Sequence, residues 1–367
     1  MTLDRVRIGF IPLVDAAIPI VAADVGFAAA EGFAIDLARE VSWSNIRDRL
    51  TLGHFDVAHL LAPLAIATSL GLGALKAPLA APVTCGLNGN AITFSPHLYD
   101  ELLEHLAPDA NLFDPRATGA AFASLVRARR ARGDEQPTLG MTFPFSSHNY
   151  LLRLWLAEAG LAPDEDVRLA VVPPPYMVDA LEHGHVDGFC VGAPWNAVAV
   201  SLGLGRIVHL AVDLVARCPE KVLAVRESWL TDAPDRADAL TRACLKAAAW
   251  CDDPANHDDL ATLLSSPDRL DVPAGVIRAA LDGRLEVGRG VRANDDYQIF
   301  GRDHALRPDP RHALWLYAQM TRWRQAGGEA EEAERAAAVY RPDLYDRAVG
   351  AAPPAVAEDP LGLFNGG

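Results

Sequence analysis

Short strand-like runs alternate with helix-length segments through the first two-thirds of this 367-residue chain. The predicted strands are Val6–Ile11, Asp56–Leu60, Ala91–Phe94, Thr138–Phe143, Val167–Val172, Gly188–Val191 and Val222–Val225. The intervening helical stretches include Ala16–Ala30, Asn45–Leu52, Pro63–Leu70, Ser147–Ala159 and Met177–His183. This β-α-β-α order is typical of parallel sheets that are covered by helices. It predicts an α/β fold, and the chain is long enough for two domains with separate hydrophobic cores.

The last third of the chain has a different pattern. After about Thr231 strand-like runs become scarce, and Ala/Leu-rich faces recur at helical spacing. The predicted helices there are Arg236–Trp250, Pro254–Leu264, Pro273–Leu281 and Arg311–Gln325. We therefore expect a helical C-terminal part.

Composition and charge exclude some classes of partner. Half of the residues are apolar and 22% are charged, as in globular proteins. A net charge of −15 argues against direct binding to nucleic acid or to an anionic membrane. The energy of a small anion in a buried pocket depends instead on its immediate neighbours. An anion site is therefore possible, but it must be built locally.

The cysteines and the N-terminus indicate a cytoplasmic location. The five cysteines are odd in number and show no CxxC pairing, which suits reduced thiols in the cytoplasm. Strand-like residues begin almost at Met1, without a basic segment, an apolar core and a small-residue cleavage site. No uninterrupted apolar run has the length needed to span a membrane.

Ligands of open parallel sheets collect beyond the carboxyl ends of strands, where helix N-termini point. The segment Thr142-Phe-Pro-Phe-Ser-Ser-His-Asn149 has this character, with Ser146 or Ser147 as helix cap and His148 in the first turn. A helix N-terminus there would favour an anion, although simple capping explains the two serines equally well. The sequence lacks GxSxG, HExxH and P-loop motifs, so it predicts no catalytic residue, no metal and no cofactor.

Several segments resemble the nitrate- and bicarbonate-binding proteins of ABC importers. They occur in the family's order between about Arg5 and Trp250. The matching segments are Arg47–Gly53, Asp56–Pro63, Pro173–Val178, Asp187–Asn196 and Cys218–Lys221. The resemblance implies a type II periplasmic-binding-protein fold, with two α/β lobes and a ligand cleft between them. Lobe I would comprise residues 1–90 and 222–367, and lobe II residues 91–221.

The resemblance also implies which residues hold the anion. They are Trp43, Asn90, His148, Gly192 and Lys221. Taken singly, each has a structural explanation: a tryptophan beside a helix start is usually core, and a lone lysine is usually solvated. Asn90 stands where nitrate importers usually have glutamine, and Ala193 replaces an acidic residue common in that family. Both departures concern which anion binds, so nitrate, nitrite and bicarbonate stay open.

Two expectations concern how these residues work. Lys221 supplies a compact positive charge, and its replacement by alanine should abolish binding while leaving the fold intact. Protonated His148 could add a second charge, so affinity should rise as the pH falls.

Cytoplasmic relatives of this family are nitrate/nitrite sensors paired with an RNA-binding antiterminator, which implies that role here. One alternative is the solute-binding subunit of a nitrate, bicarbonate or sulfonate importer. Another is an enzyme resembling the pyrimidine synthases of thiamin biosynthesis, which share the fold and use pyridoxal phosphate. Those enzymes carry a cysteine-rich segment that has no counterpart in this sequence.

Overall fold

Two five-stranded sheets form the framework of the protein. They are seen in a computed structural model that describes residues 3–73, 75–288, 290–350 and 361–362. The strands of the first sheet are β1 (Asp4–Phe10), β2 (Phe33–Arg39), β3 (Val57–Leu61), β4 (Leu79–Thr84) and β11 (Lys221–Arg226). Those of the second are β6 (Asn90–Phe94), β7 (Thr138–Met141), β8 (Arg168–Val171), β9 (Gly188–Gly192) and β10 (Arg206–Leu210). Two small sheets pair β5 (Leu87–Asn88) with β14 (Gln298–Ile299) and β12 (Arg284–Glu286) with β13 (Val291–Ala293).

Helices lie between the strands and make up most of the C-terminal part. In the first two-thirds of the chain they are α1 (Ala17–Asp24), α2 (Phe27–Ala30), α3 (Trp43–Thr51), α4 (Ala62–Leu70), α5 (Pro96–Glu104), α6 (Pro115–Arg132), α7 (Ser147–Glu158), α8 (Met177–Glu182) and α9 (Trp195–Ser201). The C-terminal helices are α10 (Glu227–Asp232), α11 (Pro234–Asp252), α12 (His257–Leu264), α13 (Ala274–Leu281), α14 (Pro310–Arg322), α15 (Ala330–Ala338) and α16 (Pro342–Val349). None of the helices in the described ranges is both long and apolar enough to cross a membrane.

Each large sheet contains one strand that runs against the other four. The first has the order β2-β1-β3-β11-β4, in which β11 is antiparallel to both neighbours. The second has the order β10-β6-β9-β7-β8, in which β6 is antiparallel to both neighbours. The expectation of parallel sheets is therefore corrected to mixed sheets. The reversed strands are those that follow a crossing between the sheets, because a chain that enters a sheet at the cleft must run away from the cleft.

The chain crosses between the sheets twice, and the two crossings touch. We call residues 87–90 the first crossing and residues 218–221 the second crossing. Asn88, in the first crossing, accepts a hydrogen bond from the backbone N–H of Cys218 over 2.7 Å. Its amide nitrogen donates to the backbone oxygens of Ala216 (2.9 Å) and Asp296 (2.8 Å). The crossings are thus fixed side by side, and β14 pairs with the first of them.

The predicted two-lobed α/β architecture with a helical C-terminal part is confirmed. The strands of the first large sheet lie within residues 4–84 and 221–226, and those of the second within residues 90–210. Apolar side chains of both lobes are fully buried, for example Ile8 and Val222 in the first and Phe94 and Leu139 in the second. The lobe boundaries at residues 90 and 221 stay a prediction.

Candidate functional site

The two reversed strands, β6 and β11, each place one polar side chain at the cleft. Asn90 is the first residue of β6 and Lys221 the first residue of β11, so both lie at the end of their strand that adjoins a crossing. Gly192 is the last residue of β9 and pairs directly with Asn90. A Cβ atom on Gly192 would lie 3.3 Å from both Asn90 Oδ1 and Lys221 Nζ. Three of the predicted residues therefore meet at one point, where a side chain on Gly192 would intrude.

Lys221 is buried between two carboxylates. Its Nζ lies 2.8 Å from Asp15 Oδ2 and 2.9 Å from Glu220 Oε2, and the lysine is only 1% exposed. Burial would lower the pKa of a lysine, but the attraction of Asp15 and Glu220 raises the pKa of Lys221 above its ordinary value. The ammonium is therefore permanently charged, and its charge is already compensated within the protein.

The Glu220 carboxylate lies where the predicted donors converge. Its Oε1 accepts a hydrogen bond from Asn90 Nδ2, and its Oε2 accepts one from Lys221 Nζ. The Nε2 atom of His148 lies 3.7 Å from Oε2, and the thiol of Cys218 donates to Oε1 over 3.5 Å. A planar carboxylate of the protein, with its charge delocalised over two oxygens, therefore already lies among these donors.

His148 is positioned by the start of α7, as the sequence predicts. Ser146 is the helix cap, since its hydroxyl accepts from the backbone N–H of Asn149 over 3.1 Å. Ser147 instead donates to the backbone oxygen of Pro219 over 2.7 Å, which ties the helix to the second crossing. The Nδ1 atom of His148 lies 3.1 Å from Thr142 Oγ1, so a proton on Nε2 would face the site.

His148 is neutral rather than cationic in this setting. Burial, reinforced by the nearby ammonium of Lys221, holds the pKa of His148 well below its ordinary value. The surroundings of His148 therefore do not favour a second positive charge there. The imidazole can still act as a neutral N–H donor.

Trp43 is connected to Lys221 through His59 and Asp15. It is the first residue of α3, whose cap Ser42 accepts from the backbone N–H of Asn45 over 3.2 Å. Its ring lies against His59, with ring centroids 5.8 Å apart. The Nε2 atom of His59 in turn lies 3.0 Å from Asp15 Oδ1.

Two of the predicted ligand residues have a buried ring nitrogen without a hydrogen-bond partner. Within the part of the chain that the structure describes, neither Trp43 Nε1 nor His148 Nε2 has a hydrogen-bond acceptor. Buried donors in native proteins almost always find a partner, and leaving one unpaired costs about 1–3 kcal/mol. An added acceptor within reach of either donor would therefore stabilise the protein.

Contacts between the lobes close the cleft over the site. The backbone N–H of Val14 donates to Ala193 O (2.8 Å), and Trp195 Nε1 donates to Pro12 O (3.1 Å). The backbone N–H of Ala193 donates to Gly89 O over 2.7 Å. Each of the five predicted residues is buried, so any ligand there would be shielded from water.

Three residues of the site were missed from the sequence, namely Asp15, His59 and Glu220. Asp15 lies between Val14 and Ala16, and His59 lies inside the apolar strand β3. A polar side chain within an apolar run is the usual signal of a buried group with a partner, and that signal was available. Glu220 gives no such signal, because it adjoins Lys221 and a neighbouring Glu-Lys pair is usually solvated surface.

Comparison with known proteins agrees with this geometry. Residues 2–265 match the NMT1-like family. The nitrate/nitrite binding protein NrtA of Nostoc is 31% identical over 370 residues, which cover 99% of this chain and 80% of that protein. The nitrate import ATP-binding protein NrtC of Synechocystis is 33% identical over 346 residues, but this chain spans only 49% of its length.

The fold of this chain is also that of a related protein of known crystal structure. The periplasmic nitrate-binding protein NrtA of Synechocystis superposes with a TM-score of 0.89 at 28% identity, covering 99% of this chain and 94% of that one. The two-lobed mixed α/β architecture is therefore that of the periplasmic-binding-protein fold, as the resemblance implied. The chain belongs to the NMT1-like family and is close to the NrtA nitrate-binding proteins of ABC importers.

Proposed function

We propose that this protein binds nitrate or nitrite in the cleft between its two lobes and does not act as an enzyme. The observation that carries the proposal is the convergence of Lys221, Asn90 and His148 on a single planar carboxylate, that of Glu220. Nitrate and nitrite are small oxyanions with delocalised charge, so the same donors fit them. The names of the NrtA relatives support this choice of ligand.

Each predicted residue would contribute a different property. Lys221 would supply the charge, while Asn90 and His148 would supply directional N–H donors. Trp43 would add the indole N–H that now lacks a partner and an apolar wall that lowers the local dielectric. Gly192 would leave room for the anion beside Lys221.

Isothermal titration calorimetry with nitrate, nitrite, bicarbonate and an aliphatic sulfonate tests the proposal. We expect saturable binding of nitrate or nitrite and its loss in Lys221→Met. Trp43→Phe should weaken binding, whereas Trp323→Phe should not, although it also removes a buried indole N–H that lacks a partner. Binding of none of the four anions, or tight binding of the sulfonate alone, would contradict the proposal.

We further propose that the protein is a cytoplasmic nitrate/nitrite sensor that controls an RNA-binding antiterminator of nitrate assimilation. Its five cysteines are all free and buried, which suits a reducing compartment. Its net charge of −15 would favour a basic, RNA-binding protein partner over direct contact with RNA. If the anion binds only the closed, partner-free state, linkage requires that it also releases the partner.

The similarity to NrtA equally favours a second function, the solute-binding subunit of an importer. Size-exclusion chromatography of the chain with the purified antiterminator, with and without saturating nitrate, separates the two functions. A sensor should co-elute with the antiterminator and release it when nitrate is added. A protein that never co-elutes and is found outside the cytoplasmic membrane by cell fractionation would be the importer subunit.

A further inference from the structure

Two of the donors that would hold an external anion, Asn90 and Lys221, are already occupied by Glu220. Its carboxylate accepts from Asn90 and Lys221 and lies 3.7 Å from His148 Nε2. Glu220 is 2% exposed, so its carboxylate cannot exchange these partners for water without the cleft opening. An incoming anion must therefore compete with a carboxylate of the protein for the N–H groups of Asn90 and Lys221.

The charges of the site make simple addition of an anion unfavourable. With Asp15 and Glu220 both ionised, the two carboxylates share one ammonium, and this trio carries a net charge of −1. A bound nitrate would raise the net charge to −2 inside a buried site. Uncompensated buried charge is costly, so the site would need to lose one negative charge on binding.

Glu220 is the carboxylate that can lose its charge. Burial would raise the pKa of Asp15, but Lys221 and His59 hold the pKa of this carboxyl well below its ordinary value. At Glu220 burial prevails over the attraction of Lys221, and the nearby Asp15 adds to it, so the pKa of Glu220 is raised. When one proton enters this coupled pair, it therefore goes to Glu220.

The other titratable groups around Glu220 do not change charge near neutral pH. Burial raises the pKa of the thiols of Cys190 and Cys218 and of the Tyr340 phenol, and all three stay neutral. The pKa of His148 is held well below its usual range, so it stays neutral as well. The charged groups that face Glu220 are Lys221 and Asp15.

We propose that a bound anion replaces the ionised carboxylate of Glu220 as the partner of Lys221 and Asn90, and that binding takes up one proton onto Glu220. The proton comes from the solvent buffer and converts the carboxylate into a neutral carboxyl group. The net charge of the site is then −1 before and after binding. This inference rests on the proposed binding of nitrate or nitrite at the same site.

Calorimetry in buffers with different heats of ionisation counts the protons taken up. Above the pH at which Glu220 ionises, we expect about one proton per bound nitrate. The dissociation constant should rise about tenfold for each pH unit, because only the protonated form binds. If nitrate binds but no proton is taken up anywhere between pH 6 and pH 9, this inference is wrong and the proposed function still stands.

The variant Glu220→Gln assigns the proton to this residue. A glutamine is always neutral, so the variant should bind nitrate with an affinity that hardly changes with pH and that exceeds the affinity of the unaltered protein at pH 8–9. Glu165→Gln, on an exposed loop, should keep the pH dependence of the unaltered protein. If Glu220→Gln keeps that dependence, another group takes up the proton and the inference is wrong.

The remaining outcomes distinguish failure of this inference from failure of the proposed function. A Glu220→Gln variant that melts cooperatively but binds no nitrate while the unaltered protein does would also overturn the inference, because Glu220 would then contribute to binding. If the variant fails to fold, the proton count of the unaltered protein decides alone. If neither nitrate nor nitrite binds the unaltered protein or the folded variant at any pH, the proposed function itself fails.

Discussion

The two crossings between the lobes have the same topology and different chemistry. Each leads into the one strand that runs against its sheet, and each places a candidate site residue at the first position of that strand. The first crossing brings the neutral amides Asn88 and Asn90 to the cleft. The second brings Glu220 and Lys221, which are ionisable and almost fully buried. Both crossings therefore position site residues at the cleft, but only the second crossing carries ionisable side chains.

This difference predicts that the two crossings respond differently to mutation. Changes at the second crossing should alter stability, pH dependence and binding together, because they change the number of buried charges. A change at Asn90, in the first crossing, should mainly alter binding, because it removes one hydrogen bond to a charged group. The following variants test this contrast.

Replacing Lys221 by methionine should have the largest effect. Asp15 and Glu220 would be left buried without their cation, which costs about 3–5 kcal/mol of unfolding free energy near neutral pH. The pKa of both carboxyls in the folded variant would then lie above the unfolded values. The lost stability should therefore return as the pH falls toward those unfolded values.

Urea denaturation of Lys221→Met at pH 8 and pH 5 measures this effect, and nitrate binding should be lost at both. Lys246→Met is a control, because Lys246 is half exposed and pairs with Glu31 at the surface; it should change stability by no more than about 1 kcal/mol. An unchanged urea midpoint for Lys221→Met at pH 8 would contradict the charge argument. The earlier expectation that removal of this lysine leaves the fold intact takes no account of the two carboxylates.

Replacing Asn90 by leucine should have a smaller and more selective effect. Leucine has nearly the same shape but cannot donate to Glu220 or to a bound anion. A hydrogen bond to a charged group contributes about 1.5–3 kcal/mol. Because Asn90 donates to Glu220 before binding and to the anion after it, nitrate should bind more weakly by at most about 10- to 100-fold. Calorimetry measures the loss, and Asn90→Gln, which keeps the amide, should retain much more of the affinity. Equal losses in the two variants would show that the amide donor is not the cause.

Replacing Gly192 by alanine should have the smallest effect of the three. The added methyl would lie 3.3 Å from Lys221 Nζ and Asn90 Oδ1 and 3.4 Å from Leu13 Cδ2, which is slightly too close. Mild overpacking costs about 1 kcal/mol, so nitrate should bind roughly fivefold more weakly. Gly275→Ala is a matched control, because its methyl meets no neighbour, and its affinity should be unchanged. A Gly192→Ala variant that binds as tightly as the unaltered protein would show that the site beside Asn90 and Lys221 has room for the added methyl.

The sequence pattern identified interior strands better than edge strands. The three strands of the large sheets that it missed are β2, β4 and β10, and all three lie at sheet edges. Edge strands carry charged residues or proline, such as Pro82 in β4, because one side of the strand needs no ladder partner. The apolar run is broken by Pro82 in β4 and by Asp36 in β2, whereas β9 has no charged residue or proline.

The sequence by itself determined the local part of this protein. Alternating apolar runs defined the α/β class, and a hydroxyl side chain marked the start of α7. Family resemblance, rather than any local signal, selected Asn90 and Lys221 as site residues. Only the tertiary structure decided that both strands after the crossings are reversed, and that Asp15 and Glu220 share one buried ammonium. The physical reason is that the alternation of buried and exposed positions can be read from consecutive residues. Strand direction and electrostatic coupling instead depend on contacts between segments far apart in the chain.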